Sequence, residues 1–147
     1  MAQSKGMIII VALVVAVAVG SGGFWYYQKQ KTEAARKAAL TDALARANEV
    51  QSKVLQYYFK NKEFPSNNVQ AGVPRPESFQ MNALKSITIE KGGSINLLFN
   101  SQSGVDNGTI VLVPTMDIAS GKLWQCKTAS FPEISKSCPE CVFTGNP

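Results

Sequence analysis

With 147 residues the chain is long enough for one ordinary domain and too short for two. Lys and Arg total 15 against 10 Asp and Glu, a net charge of +5, and there is no histidine. The missing histidine excludes Ser-His-Asp and Cys-His catalysis, His-ligated zinc and imidazole pH switching together. The mean hydropathy of -0.04 averages two unlike parts, because the apolar residues are concentrated at the front.

Residues 7–19, MIIIVALVVAVAV, form an unbroken apolar run, and no charge stands between Lys5 and Lys29. About 20 apolar residues suffice to cross a bilayer as a helix, so residues 7–28 are expected to insert in a membrane. Phe24-Trp25-Tyr26-Tyr27 sits where an interfacial aromatic belt would lie, just ahead of the first lysines. A secretory signal peptide is the alternative, with small-residue cleavage sites available around Val17–Gly22. Continuity argues against it. From Gln28 to Lys62 there is neither Gly nor Pro, and good helix formers dominate. Leu40, Leu44, Ala47, Val54 and Tyr58 recur near helical spacing, and Pro65 closes the segment. Residues 7–62 therefore predict one helix of about 80 Å, apolar in its first half and amphipathic in its second. Gly20, Gly22 and Gly23 weaken it by about 1 kcal/mol each, as small-residue packing points or as a place to bend.

The charge is unevenly spread. Residues 29–63 carry eight basic and four acidic side chains, whereas residues 64–147 carry six of each. The basic excess belongs to the helix, so the pI of 9.2 does not indicate a nucleic-acid-binding domain. Lys29, Lys31, Arg36 and Lys37 favour a cytoplasmic side for this end of the apolar run. The cysteines favour the opposite side, since disulfides persist in oxidising compartments.

After Pro65, Ser66-Asn67-Asn68, Gly72, Pro74 and Pro76 predict a long connection with little regular structure. Short β-prone runs follow. Ser86–Glu90 alternates, Lys91-Gly-Gly-Ser94 turns the chain, and Ile95–Phe99 returns. Asp106-Asn-Gly108 leads into Thr109–Val113, and Ser120-Gly121 into Lys122–Cys126. Four successive strands predict an antiparallel meander, one face of which the amphipathic helix would cover. The expected fold is α+β, a long N-terminal helix packed on a four-stranded antiparallel sheet.

Cys126 ends the last of these strands, and Cys138 and Cys141 lie near the C-terminus. A structural disulfide is expected, although spacing alone does not choose the pair. Cys138-Pro-Glu-Cys141 also has the C-x-x-C spacing of a redox dithiol or half a zinc site. A redox motif wants a following helix, and zinc would want a fourth ligand with no histidine available. The ten carboxylates are scattered and no Gly-rich phosphate loop joins a strand to a helix, so no enzyme, cofactor or metal is expected.

Over nearly its whole length the pattern resembles a type IV pilin. Lys5-Gly6 before Met7-Ile8-Ile9-Ile10 looks like a prepilin peptidase site, with cleavage between Gly6 and Met7 and methylation of the new N-terminus. Tyr57–Asn68 and Ala71-Gly72-Val73 are similar to the family's helix end and following loop. The most specific similarity is Gly108–Pro114, then Gly121–Cys126, then Ile134–Pro139 and Cys141. In the family an aromatic residue two before a cysteine, and a proline shortly before a last cysteine, frame a disulfide-bounded loop. The resemblance thus implies a Cys126–Cys141 bridge, with Cys138 free or an alternative partner where the family usually has an apolar residue. It also implies a leader over 1–6, a transmembrane and assembly helix over 7–28, an amphipathic helix over 29–63 and a head over 64–147. The implied partners are other pilin subunits, the prepilin peptidase and the inner membrane, the head facing the periplasm or the cell exterior. The chain lacks the family's usual Phe-Thr-Leu-Ile-Glu-Leu run. It also lacks the proline common in the apolar half, whose part Gly20, Gly22 and Gly23 would take. Two single residues depart from the pattern as well. Val11 stands where the mature chain usually carries a glutamate, and Cys138 where it does not carry a cysteine. Val11 favours the alternative of a membrane-retained pilin-like accessory protein. A surface adhesin or DNA receptor is a further alternative, weakened for DNA by the neutral head.

Overall fold

The computed structural model describes the backbone from Ala2 to Gly145 and the side chains from Gly22 onward. It divides into two compact units, Met1–Ala35 and Arg36–Pro147. Helix α1 runs over Ala2–Asn61. It stops as the sequence predicts, and the physical stop is visible. Lys62 turns left-handed (φ 61°) and its N–H donates to Tyr58 O at 2.7 Å, a single-bond left-handed cap. Phe64 then folds back to stack on Tyr58 with ring centroids 4.4 Å apart, and Pro65 is buried behind it.

Within the second unit the helix contributes Leu40, Ala43, Ala47, Val50 and Val54 to the core. Their spacing alternates between three and four residues, which keeps them on one stripe. The sequence picks out that stripe but not its centre. Leu44 and Tyr58 lie half-buried at its margins, whereas Ala43 and Val50 are fully enclosed. Two of the central residues are alanines, Ala43 and Ala47.

The sheet has five strands, β1 (Leu84–Ile89), β2 (Ile95–Phe99), β3 (Thr109–Asp117), β4 (Lys122–Thr128) and β5 (Cys141–Phe143), in that spatial order. The first four form the expected antiparallel meander. The fifth corrects the four-stranded, purely antiparallel expectation, because β5 lies parallel to β4. A parallel neighbour needs a crossover of about a dozen residues, and the segment 129–140 supplies one. Register brings the core-facing residues opposite one another. Ile87 pairs with Leu97, Ile89 with Ile95, Leu97 with Ile110, Leu112 with Cys126, and Cys126 with Cys141. Each fully buried Ile or Leu in this layer contributes about 1.5–3 kcal/mol relative to exposure.

Two local devices hold the meander to the rest of the unit. Gly93, in the β1–β2 turn, adopts φ 79° and donates its N–H to Glu90 O and to Pro65 O. A Cβ there would stand 2.7 Å from the Phe64 ring, so glycine is required both by conformation and by space. The second device is Asn68. Its side chain is buried, donates to Pro74 O (2.8 Å) and Ile87 O (2.9 Å), and accepts from the Ile89 N–H (2.7 Å). It thereby closes the outer edge of β1 with a side chain in place of a strand. The connection from the helix to β1 is more structured than its composition predicts, since it also forms a 3-10 turn over Pro76–Phe79 that buries Phe79.

Candidate functional site

Two places carry the functional expectations, the front of α1 and the C-terminal loop. In the first unit, Phe24, Trp25, Tyr26 and Tyr27 all stand exposed, Trp25 the most at 77%. Four consecutive residues span a full helical turn, so this cluster has no polar side. Lys31 lies over the Tyr27 ring at 5.0 Å from its centroid, and the Thr32 hydroxyl donates to Gln28 O at 2.9 Å. An added Cβ at Gly22 or Gly23 meets nothing within 4 Å, so neither glycine is demanded by packing inside one copy of the chain. Gly6 and Met7, the expected cleavage pair, and Val11 lie outside the residues whose side chains are described. The apolar run 7–19 also falls there. Among the described residues no helix is long and apolar enough to cross a membrane.

The C-terminal loop belongs to the second unit and is built on β4. Cys126 and Cys141 are buried register partners on adjacent strands, and the structure joins them in a disulfide. Between them the chain has its own anchors. Phe131 packs edge-on against Phe99 at 5.2 Å and fills the space over Gly108, where a Cβ would come within 2.7 Å of its ring. Ile134 is buried one turn further on. Polar bonds complete the seam. The Thr128 hydroxyl donates to Thr109 O (2.6 Å), the Thr109 N–H donates to Ser130 Oγ (3.0 Å), and the Thr144 N–H donates to Thr128 O (2.8 Å). The loop would therefore keep contacts with the sheet even without its covalent link.

Cys138 is half-buried and free, with its Sγ 2.9 Å from Cys141 Sγ. The three sulfurs lie within 4.8 Å of one another. With two of them bonded to each other, the cluster offers one thiol and not the three thiolates a soft metal would need. The C-x-x-C segment is a reverse turn in which the Cys141 N–H donates to Cys138 O at 3.1 Å, not the start of a helix.

Three further features escape sequence reasoning. The Arg36 guanidinium packs against the backbone of Gly104, a left-handed residue (φ 91°) ending the short 3-10 turn Ser101–Ser103. Its Nε is shielded from water and has no hydrogen-bond partner, so the arginine serves as packing surface here. At the β3–β4 tip, Ile118 is exposed beyond a bulge in which Met116 takes φ 52°. The Ser120 hydroxyl beside Asp117, joined by the Ser120 N–H, holds that carboxyl below its ordinary range. Finally, a shallow groove of about 350 Å³ is lined by Lys53, Gln56, Tyr57 and Lys60 of the helix and by Gln70 and Gly72 of the following loop. Of the three, only the β3–β4 tip is foreshadowed in the sequence, by the Ser120-Gly121 turn.

A family model for pilin, described as a bacterial filament, matches residues 36–140. That is well over half of the chain and covers most of the amphipathic helix, the meander and most of the C-terminal loop. No curated protein matches the chain significantly.

Proposed function

Since the chain belongs to the pilin family of bacterial filament proteins, we propose that it is a structural subunit or minor component of a type IV pilus, anchored in the inner membrane through residues 7–28 before assembly. The prepilin peptidase would cleave between Gly6 and Met7, and neighbouring subunits would then pack along the apolar stretch of α1. The head, residues 64–147, would lie in the periplasm and afterwards on the filament surface.

The observation that carries this reading is the exposed quartet Phe24–Tyr27 at the border of the apolar run. An apolar cluster on every side of a helix is an association surface, toward lipid in one state and toward other helices in the next. The second unit, by contrast, encloses its helix stripe against its own sheet, and its large exposed hydrophobics among the described residues are the scattered Phe59, Val69, Ile118 and Val142. The balanced charge of the head, six basic against six acidic residues, leaves it without a general electrostatic pull toward nucleic acid.

Mass spectrometry of the N-terminus together with filament shearing tests the reading. A mature chain beginning at Met7 and recovered in sheared surface filaments is the expected result. An intact chain beginning at Met1 and confined to membranes would sink it. One residue favours a second reading. Val11 supplies no carboxylate where a filament subunit would pair with its neighbour's amino terminus, as an accessory protein that stays in the membrane would have no need to do. A processed chain that never enters the filament fraction would select that reading.

A further inference from the structure

The three cysteines contain more chemistry than a single structural bridge uses. Cys138 is held beside the disulfide by its own backbone. Its N–H donates to Ile134 O at 2.8 Å and its carbonyl accepts from the Cys141 N–H at 3.1 Å. A turn of this kind brings its end residues within about 7 Å, Cα to Cα, and disulfides span about 4.4–6.8 Å. The turn thus holds Cys138 and Cys141 at a separation that overlaps the disulfide range. The sulfurs are already adjacent, Cys138 Sγ lying 2.9 Å from Cys141 Sγ. Exposure is graded in the useful direction as well. Cys138 is half-buried and reachable by a solvent base, whereas Cys126 and Cys141 are enclosed in the core.

We propose that Cys138 exchanges with the Cys126–Cys141 disulfide, so that the head exists as two disulfide isomers with one thiol shared between them. The step balances internally. The Cys138 thiol gives its proton to a solvent base, and the thiolate attacks Cys141 Sγ. A Cys138–Cys141 bond forms as the Cys126–Cys141 bond breaks, and the electron pair leaves on Cys126 sulfur, which takes up a proton. One disulfide and one thiol are present before and after, so no oxidant or reductant takes part.

The two isomers differ in what they tie down. The Cys126–Cys141 bond links β5 covalently to β4 across the segment 127–140. The Cys138–Cys141 bond closes only a four-residue turn. In the second isomer β5 is held without a covalent link to β4, by its backbone pairing with β4, the Thr144–Thr128 bonds and the packing of Phe143 against the core. The free thiol moves from a reachable position into the core. The C-terminal loop accordingly has a stapled state and a clipped state that interconvert without external chemistry.

Peptide mapping on the full chain in non-ionic detergent tests this. The oxidised protein is held in mildly alkaline buffer, quenched with acid and unfolded in mildly acidic guanidinium, so that buried thiols become accessible. It is labelled with excess maleimide, then diluted and digested with pepsin. Label on both Cys138 and Cys126, with Cys126–Cys141 and Cys138–Cys141 peptides side by side, is the expected result. Label confined to Cys138 with a single disulfide, however long the incubation, would overturn the proposal. The Cys138→Ser chain, which keeps the observed disulfide, is the control and should show complete loss of the Cys126 label. Equal Cys126 label in that variant would mean incomplete oxidation, not exchange, and would also overturn it.

Discussion

Phe24–Tyr27 and Leu40–Val54 belong to the same helix, yet the first group is 55–77% exposed and the buried positions of the second, Leu40, Ala43, Ala47, Val50 and Val54, are exposed by no more than 4%. Hydrophobicity does not explain the difference; arrangement does. Residues spaced three and four apart form a stripe that a single sheet can cover. Four consecutive aromatic residues point in every direction, and one sheet cannot cover them. The second unit thus completes its own core, while in the first the aromatic cluster stands exposed. The stability of the second unit is carried by one stretch of α1, while in the proposed reading association falls to another.

Paired substitutions put the separation at risk most directly. Phe99 is fully buried against Phe131, and Phe99→Ala should lower stability by about 3–5 kcal/mol, the usual cost of removing a core aromatic ring. Hydrogen exchange of the β2 and β3 amides in the full chain, in detergent, reads this. Trp25→Ala removes as large a side chain from the exposed cluster, and should move the same amides by less than about 0.5 kcal/mol. It should nonetheless weaken retention of the chain on lipid vesicles. Comparable exchange losses in both variants would show that the two stretches are not independent.

Much of this contrast is legible in the sequence, because periodicity survives without coordinates. The helix, its stop near Pro65, four strands and three turns follow from spacing and turn chemistry. What escaped depends on residues distant in the chain. The run Cys141-Val-Phe is too short to announce a strand and becomes one only through its pairing with β4. Asn68 sits in a segment whose composition predicts only a turn, and its role lies in strand atoms 19 and 21 residues away. Cys138 could be counted but not placed. Its contact with the disulfide arises from a turn, a 3-10 segment and a parallel strand together. At the front, Gly6, Met7 and Val11 are known from sequence alone, and their roles rest on resemblance to the family.

Asn68 offers a sharper test of self-sufficiency in the second unit. Asn68→Ala leaves the Ile89 N–H and the Ile87 carbonyl without their side-chain partner in a place closed to water, and the Pro74 carbonyl without its partner nearer the surface. The expected loss is about 2–3 kcal/mol, from unsatisfied buried groups more than from the bonds themselves. Exchange should rise first along β1. Loss confined to the 66–73 segment, with β1 unchanged, would mean that the strand edge closes without this residue.

The smallest effect is expected at the β3–β4 tip, where the second unit has an exposed stretch of its own. The Asp117 carboxyl is held below its ordinary range first by the Ser120 hydroxyl, then by the Ser120 and Ala119 backbone N–H groups and by the charge of Lys122. A carboxyl lowered in the folded state contributes stability above its unfolded value, and that contribution disappears as pH falls through the lowered value. In Ser120→Ala the largest cause is gone, so the Asp117 midpoint should rise, though not fully, because the backbone donors and Lys122 remain. Titration of the carboxyl by NMR reads the shift, and an unmoved midpoint would remove the hydroxyl from the account. The buried amides of Leu97 and Ile110 should be indifferent to the substitution, since the tip makes its bonds within itself. If they respond, exposure within the second unit is coupled to its core. The contrast drawn along α1 would then be one between elements rather than between exposed and buried surface.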